Sequence, residues 1–301
     1  MTVELEYDYK KTTSAMEKFS QSDVDELRQW SLDLDPLKYV PKDLSDKQLV
    51  LFYNACESDI GKTKTCIEKY FLYKKNAPEF FENRTNPFAP SIVGSAADVS
   101  EFSYLPEQSP EGYDVIFHRL HNTDPSRYTL EAGAKLLFMT VDACLYRRGP
   151  QRGVILLFDM RGVKLGHLIR LSLSSLRKFF SYVQEAAPIH MRAIHVLNSE
   201  PVLDKLLMLI RPFMNRQLFD MIKFHNKNMN MEEFYSKVLP KSALPSDFGG
   251  ELPDTQTLHK TCIADLHSLQ NVFEAEEKQR KRAIPEKTKK IERSFKKLDI
   301  D

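Results

Sequence analysis

Two short apolar runs, at residues 154–158 and 193–197, dominate the middle of the chain. Runs this short and this rich in branched side chains are typical of strands that are buried on both faces of a sheet. Helical spacing precedes the first run and separates the two, and further strands are predicted at 113–120 and near 218–225. This alternation predicts an α/β fold with a mostly parallel sheet and right-handed crossovers.

The segment that follows the second run is unusually apolar. Between Val202 and Ile210 only Asp204 and Lys205 are polar. Such a helix needs cover on most of its circumference, and packing on a sheet covers only one side. More protein, a ligand or a membrane must therefore meet the other side. This surplus of apolar surface is the main functional signal in the chain.

The first part of the chain has the pattern of a small helical unit. Apolar residues three apart predict a helix around Leu27, Ser45 is a candidate N-cap for a second, and a third starts near Asp59. The prolines at 85–90 predict a linker. The predicted units are an N-terminal helical domain at 1–95, a larger α/β domain at 96–258 and a helical, basic tail at 259–301.

Composition places the chain among soluble globular proteins, with 42% hydrophobic and 28% charged residues in 301. No uncharged apolar run approaches the ~18 residues needed to span a bilayer. No secretory leader is visible after Met1. The four cysteines are widely spaced without a C-x-x-C pair, which favours a reducing compartment. We therefore expect a cytoplasmic protein.

The net charge of +1 hides an asymmetry. Residues 278–297 contain ten Lys or Arg and two Glu, a local charge of +8, so the rest of the chain carries 1 − 8 = −7. Such a tail is either a solvated, partly helical segment or a surface for anionic lipid or acidic partners. The near-neutral total argues against nucleic acid as a partner.

The motifs that an α/β enzyme would need are absent from the sequence. It has no G-x-x-x-x-G-K-[ST], no G-x-G-x-x-G and no G-x-S-x-G. Asp159 follows a strand and His195 lies within one, but structural roles account better for both. We therefore expect no catalytic residues, no metal site and no cofactor.

Several segments together resemble a known family. They are GVILLFDMRG at 153–162, His167, APIHMR at 187–192, IHVLN at 194–198, IRPF at 210–213 and LPSDFGGE at 244–251. The combination resembles the CRAL-TRIO lipid-binding family, in particular the branch of alpha-tocopherol transfer protein and cellular retinaldehyde-binding protein, with its insect-type members. The resemblance covers about 112–255, and more weakly 22–82, which is similar to the family's N-terminal three-helix domain.

The resemblance implies a monomeric carrier that holds one hydrophobic small molecule, such as a tocopherol, a retinoid or another isoprenoid-like lipid, and meets membranes transiently. The ligand would lie in a closed apolar pocket over the sheet, under a mobile lid helix. The implied lid residues are Val202, Leu203, Leu206, Leu207, Leu209 and Ile210. The implied pocket residues are Leu136, Thr140, Val154, Leu156, Phe158, Val163, Leu165, Ile169, Leu171, Phe179, Tyr182, Val183, Ile189, Ile194, Leu206, Leu209 and Phe213.

Each apolar position in that pocket set could equally be plain core. Thr140 and Tyr182 are the candidates to hydrogen-bond a ligand hydroxyl or carbonyl, unless the backbone satisfies them.

The chain also departs from the family. Members that carry phosphatidylinositol use a Lys where this chain has Met221, which argues against a phosphoinositide headgroup in the usual place. The basic residues left to meet a membrane surface are Arg211, Arg216, Lys223 and Lys227, unless they are ordinary surface charges. Two alternatives stay open: a phospholipid exchanger, and a lipid-sensing regulatory or scaffold protein that recruits a partner through its basic tail.

Overall fold

The computed structural model describes Tyr7 and residues 19–84, 92–199 and 202–290. The sequence-predicted linker at 85–90 and the tail residues 291–297 lie outside this described part. Among the described residues, no helix is both long and apolar enough to cross a bilayer.

The N-terminal unit is helical, as its spacing predicts. Ser45 caps the second helix through a capping box, in which its hydroxyl accepts from the Gln48 N–H and Gln48 Oε1 accepts from the Ser45 N–H. Asp59 caps the third helix by accepting from the Lys62 N–H at 2.9 Å. Such caps satisfy amide donors that the first helical turn leaves free. The described helices of this part are α1 (Gln21–Asp33), α2 (Asp46–Ala55), α3 (Ile60–Asn76), α4 (Pro78–Phe81) and α5 (Ile92–Val99).

A sheet of five strands in the described residues forms the centre of the second part. The strands are β1 (Ser100–Tyr104), β2 (Asp114–Leu120), β3 (Val154–Asp159), β4 (Met191–Ser199) and β5 (Ile222–Asn226). They lie in the order in which they occur along the chain, with β1 antiparallel to β2 and the other pairs parallel. The α/β class with a mostly parallel sheet is confirmed.

The remaining helices are α6 (Leu130–Arg148), α7 (Leu165–Leu168), α8 (Leu173–Glu185), α9 (Val202–Ile210), α10 (Arg216–Asp220), α11 (Met231–Lys237), α12 (Thr255–Ser268) and α13 (Gln270–Arg282). Parallel strands that are added in one direction by right-handed crossovers have their helices on one face. Leu156 and Ile194 point to that face and share a core with α6, α8 and α9. Leu157, one residue along β3, shares the opposite core with Phe234 of α11.

The last predicted strand and the first observed strand differ from the sequence-based expectation. Only the second half of 218–225 is extended, because Asn215 caps α10 by accepting from the Leu218 N–H at 2.8 Å. Strand β1 was not predicted. Its five residues carry no clear alternation, and its pairing with β2 is a tertiary contact.

Charged side chains are buried where α3, α6 and α13 meet. We call Lys74, Arg84, Asp142, Glu276 and Arg280 the ionic cluster. Glu276 accepts from Lys74 at 3.2 Å and from Arg280 at 2.9 Å, and it also pairs with Arg84. Asp142 Oδ2 accepts from Arg84 at 2.7 Å and from Lys74 at 3.3 Å. Burial opposes ionisation of Glu276, but Arg280, Lys74 and Arg84 hold its pKa well below the ordinary value.

The ionic cluster changes the interpretation of the basic C-terminal run. Phe273, Glu276 and Arg280 of α13 are buried, so residues 270–282 form part of the packed molecule rather than a solvated tail. Arg280 also donates to the Phe81 carbonyl at 2.7 Å, which joins α13 to the N-terminal unit. The domain boundaries drawn from the sequence stay predictions.

We expect the Glu276→Ala substitution to lower the free energy of unfolding by about 3–5 kcal/mol, because it leaves buried cations without their carboxylate. Denaturant unfolding measures the change. The control is Glu274→Ala on the same helix, where an exposed pair with Lys278 is lost. That loss costs about 0.5 kcal/mol or less. Equal effects of the two substitutions would contradict the assigned role of the ionic cluster.

Two histidines face each other on the side of the sheet that α11 covers. His195 Nδ1 and His225 Nε2 are 2.8 Å apart, and Phe234 packs edge-on against both rings. Burial lowers the pKa of His195 to about 4, and nearby positive charge at His225 and Lys223 acts in the same direction. Burial also lowers the pKa of His225. Both rings are therefore neutral in the folded protein at neutral pH.

Because these folded-state pKa values lie below the unfolded value of about 6.5, unfolding takes up protons in acid. The stabilisation is complete above about pH 6.5 and is lost as the pH falls towards 4. The free energy of unfolding of the wild type should fall between pH 7 and pH 5. In His195→Gln we expect this fall to be smaller by about 1–2 kcal/mol. Unfolding curves measured across that range test this. Identical pH slopes for the two proteins would contradict it.

Candidate ligand cavity

An apolar cavity of about 250 Å³ lies between the sheet and its crossover helices. Its floor comes from alternate residues of β3, β4 and β5, and its walls come from α6 and α8. Helix α9 covers it. The lining side chains are Tyr128, Leu130, Leu137, Phe138, Val141, Asp142, Leu156, Phe158, Met160, Leu171, Leu176, Phe179, Phe180, Tyr182, Val183, Ala187, Ile189, Met191, Ile194, Val196, Leu203, Leu206, Leu207, Ile210, Met214, Leu218, Ile222 and Phe224.

Only three of these 28 lining side chains carry an oxygen: Tyr128, Asp142 and Tyr182. Burial raises the pKa of Tyr128 to about 12, and burial followed by the charges of Asp142 and Glu276 raises that of Tyr182 well above its ordinary value. Both phenols therefore stay protonated. A cavity of this kind suits a ligand that is almost entirely apolar and uncharged.

Asp142 belongs both to the ionic cluster and to the cavity wall. Arg84 and Lys74 bind its Oδ2, so neither of these cations occupies Oδ1. Tyr182 lies nearby in an aromatic cluster, with its ring centroid 4.7 Å from that of Phe81 and 4.9 Å from that of Phe138. One wall of an otherwise apolar cavity thus offers a phenol and a carboxylate.

Helix α9 is the apolar segment that the sequence singles out. Leu203, Leu206, Leu207 and Ile210 face the cavity, while Met208 on the outer side is 78% exposed. The helix therefore has apolar groups on both sides, one set towards the cavity and one towards solvent. The other two predicted lid residues, Val202 and Leu209, are half-buried outside the cavity wall.

Gln184 of α8 binds the chain that leaves α9 through two hydrogen bonds. Gln184 Nε2 donates to the Phe213 carbonyl at 3.1 Å, and its Oε1 accepts from the Asn215 N–H at 2.6 Å. Arg211 lies over the Phe219 ring at 4.4 Å and donates to the Met214 carbonyl. These contacts fix the C-terminal end of α9 through polar groups, while the helix itself rests on apolar ones.

The structure places the sequence-predicted pocket residues in two groups. Nine line the cavity: Leu156, Phe158, Leu171, Phe179, Tyr182, Val183, Ile189, Ile194 and Leu206. Eight lie outside its wall: Leu136, Thr140, Val154, Val163, Leu165, Ile169, Leu209 and Phe213. That any of them binds a ligand stays a prediction.

The residues outside the wall have definite surroundings. Thr140 is fully buried, and its hydroxyl donates to the Leu136 carbonyl at 2.9 Å, so the backbone satisfies it. Val154 lies on the same face of β3 as Leu156 but is fully buried at the start of the strand. Ile169, in contrast, is 79% exposed. Strand alternation predicts the correct face of the sheet but not where the cavity ends along it.

The polar wall of the cavity was missed at Asp142 and Tyr128. Helix α6 is buried on nearly all sides, so its spacing does not indicate which residues face a cavity. A charged residue within that apolar helix was the available signal for Asp142. Phe224 was also missed, because only the position of β5 at the sheet edge brings it to the cavity.

Large apolar side chains are exposed around the cavity. Ile169 and Leu173 flank Leu171, which lines the cavity, and Leu165 lies one turn before Ile169. Met208 follows the lining residue Leu207, and Phe224 both lines the cavity and is 42% exposed. We call Leu165, Ile169, Leu173, Met208 and Phe224 the apolar rim.

The four basic residues predicted for a membrane surface are exposed on the segment that follows α9. Arg216 pairs with Asp220 at 3.5 Å, and Lys223 donates to the Asp220 carbonyl at 3.3 Å. Lys223 precedes Phe224 in β5 and points to the opposite face of the sheet, near His195. Arg211 is held at the end of α9, and Lys227 follows β5.

The polar groups considered for catalysis are engaged elsewhere. Asp159 accepts from the Arg161 side chain at 2.6 Å and from Asn198 at 2.8 Å, and His195 pairs with His225. In the part of the chain that the structure describes, no group of three or more His, Cys, Asp or Glu side chains is arranged to hold a metal ion.

Comparison with known proteins identifies two segments. The CRAL/TRIO domain model matches residues 99–250, and the Pinta-like, UBA domain model matches residues 16–92. The alpha-tocopherol transfer protein-like proteins of Homo sapiens and Pongo abelii are each 24% identical over 215 residues, which are 71% of this chain and 61% of the relative. The chain thus spans about three fifths of the length of these curated relatives.

Among solved structures, the crystal structure of Sfh5 has a TM-score of 0.49 and 9% sequence identity, covering 80% of this chain and 92% of that one. The CRAL/TRIO match covers just over half of the sequence and includes all five described strands and the cavity floor. The chain belongs to the CRAL/TRIO family.

Proposed function

We propose that the protein is a non-catalytic lipid carrier, which binds one hydrophobic small molecule in the cavity beneath α9 and transfers it between membranes. The observation that carries the proposal is the apolar cavity itself, since 25 of its 28 lining side chains are apolar. Burial of roughly 400 Å² of ligand surface at about 25 cal/mol per Å² corresponds to about 10 kcal/mol before the costs of binding. That is enough to retain a neutral lipid without an ion pair.

The ligand class follows from the polar wall. A permanently charged headgroup has no counter-charge there, because Arg84 and Lys74 already bind Asp142. A hydroxyl or carbonyl group suits Tyr182, which offers both a donor and an acceptor. These features support a tocopherol-, retinoid- or other isoprenoid-like lipid. The name of the relatives, alpha-tocopherol transfer protein-like, supports the same class.

The cavity volume supports a movable α9. Ligand pockets typically measure roughly 300–1,000 Å³, and the cavity is slightly smaller at about 250 Å³. A long isoprenoid lipid therefore requires α9 to move outwards, with its C-terminal end held by Gln184 as a pivot. In this proposal α9 is the lid of the carrier.

The apolar rim is the proposed docking surface for membranes. Its side chains surround the cavity, and their insertion into a bilayer interface would bring the cavity opening to the lipid. Arg211, which is exposed and follows the lining residue Ile210, adds attraction to anionic headgroups at about 1 kcal/mol per charge. The proposal includes a cytoplasmic monomer that meets membranes transiently.

A scaffold function through the basic tail has weaker support. Within α13, Lys278, Lys281 and Arg282 pair with Glu274, Glu277 and Asp43 of the same chain, which leaves fewer cations for a partner. A phospholipid exchanger is disfavoured by Met221 and by the lack of a counter-charge for its headgroup in the described cavity wall.

The direct test of the proposed function is to incubate the purified protein with a mixed lipid extract, re-isolate it and identify bound lipids by mass spectrometry. We expect one neutral lipid at close to one molecule per protein, because the cavity has one apolar compartment. A stoichiometric phospholipid would contradict the ligand class. A folded protein that takes up no lipid at all would contradict the carrier.

A second test separates retention from membrane docking. We expect Leu206→Asp to speed ligand release in solution by at least about tenfold, because the new carboxylate faces the apolar cavity. Fluorescence or radiolabel release from the loaded protein measures the rate.

The matched control is Met208→Asp, two residues away on the outer side of α9. It should leave release in solution within about twofold of the wild type but slow transfer to anionic vesicles, since an apolar group leaves the rim. Wild-type retention in the Leu206→Asp protein would show that α9 is not the lid.

A further inference from the structure

A second, polar groove lies on the other side of the cavity wall. It measures about 600 Å³ and runs between α2 and α3 on one side and α8 and α10 on the other. The groove and the cavity share a common wall, made of Val183, Ala187, Ile189, Met191 and Leu218. The opposite side of the groove contains Cys56 and Cys66. No sequence motif indicated this pair, because the two residues are ten positions apart.

The two thiols differ in exposure and in their partners. Cys56 is the residue that ends α2 and is half-buried, while Cys66 lies on α3 and is 9% exposed. The two thiols lie on the same side of the groove and interact with each other. Cys66 Sγ donates to the Ala186 carbonyl at 3.6 Å.

We propose that Cys56 and Cys66 are a reversible oxidation site, at which a hydroperoxide converts the two thiols into an intramolecular disulfide. The Cys56 thiolate attacks the hydroperoxide, the O–O bond breaks, and the products are a sulfenic acid at Cys56 and an alcohol or water. The Cys66 thiol then attacks the Cys56 sulfur, the S–O bond breaks and water leaves. Both sulfurs are oxidised, and the peroxide is reduced.

The order of attack follows from the surroundings of each thiol. Interaction with the Cys66 thiol lowers the pKa of Cys56, while interaction with Cys56 and burial raise the pKa of Cys66. The more accessible sulfur is thus also the more readily ionised, as expected of a thiol that reacts first. Cys144 and Cys262 are buried, and burial raises the pKa of Cys262 to about 12. Neither of these two thiols is both accessible to a peroxide and readily ionised.

Oxidation would change the shared wall. The sulfur of Cys66 has no hydrogen in a disulfide, so the Ala186 carbonyl at the end of α8 loses its thiol donor. Its neighbours Val183 and Ala187 face the cavity as well as the groove. The oxidation site is therefore connected to the ligand cavity through one turn of helix, although its existence does not depend on the proposed function.

The test uses the wild-type protein treated with hydrogen peroxide, then alkylated, digested and mapped by mass spectrometry. We expect the peptides of Cys56 and Cys66 to be joined, with the mass lower by two hydrogen atoms, and a dithiol reductant to restore them. Cys144 and Cys262 should be recovered as thiols that alkylate only after unfolding. Recovery of Cys56 and Cys66 as separate alkylated peptides after peroxide treatment would overturn the proposal.

Three variants complete the test. In Cys66→Ser the Cys56 sulfenic acid should persist and be captured by a dimedone probe, whereas in Cys56→Ser, Cys66 should remain a thiol. Cys144→Ser is the matched control and should form the Cys56–Cys66 disulfide at the wild-type rate. Equal peroxide sensitivity of Cys66 in the presence and absence of Cys56 would overturn the proposed order of attack.

Discussion

The buried contact between Glu276 and its three cations connects parts of the chain that are far apart in sequence. Lys74 comes from the N-terminal unit, Arg84 from the segment after it, and Glu276 and Arg280 from the C-terminal helix. Ions buried this deeply are tolerated only when each has its partners, so the three segments must assemble together or leave unpaired charge in the interior. Asp142 brings α6 into the same assembly.

The cavity depends on that assembly in a direct way. Asp142 forms part of the cavity wall only because Arg84 and Lys74 neutralise it from behind. The rings of Phe81, Phe138 and Tyr182 pack together beside the ionic cluster, and Lys74 Nζ lies 5.0 Å from the Phe81 ring. Helix α6 thus contributes Asp142 to the cluster and Leu137, Phe138 and Val141 to the apolar wall. The apolar cavity and the ionic cluster can lie side by side because each ion of the cluster is paired with an ion of opposite charge.

Particular residues show how far the sequence leads. The runs at 154–158 and 193–197 form strands, because short unbroken runs of branched apolar residues are typical of strands buried on both faces. Ser45 and Asp59 precede helices because their side chains accept hydrogen bonds from free amides of the first turn. Leu156 and Phe158, which the family resemblance implies for the pocket, both line the cavity, as two residues on the same face of a strand can. The Thr140 hydroxyl donates to a carbonyl of its own helix and lies outside the cavity wall, which spacing alone does not reveal.

What the sequence by itself determined is the class of the fold, the strands of its centre and the presence of one helix with more apolar surface than a sheet can cover. These follow from local periodicity, which is a property of neighbouring residues. What only the tertiary structure decided is the polar wall at Asp142 and Tyr128, the burial of α13 and the placement of Cys56 and Cys66 at one groove. Each of these rests on contacts between separate segments, and such contacts depend on how side chains pack in three dimensions, which no spacing along the chain encodes.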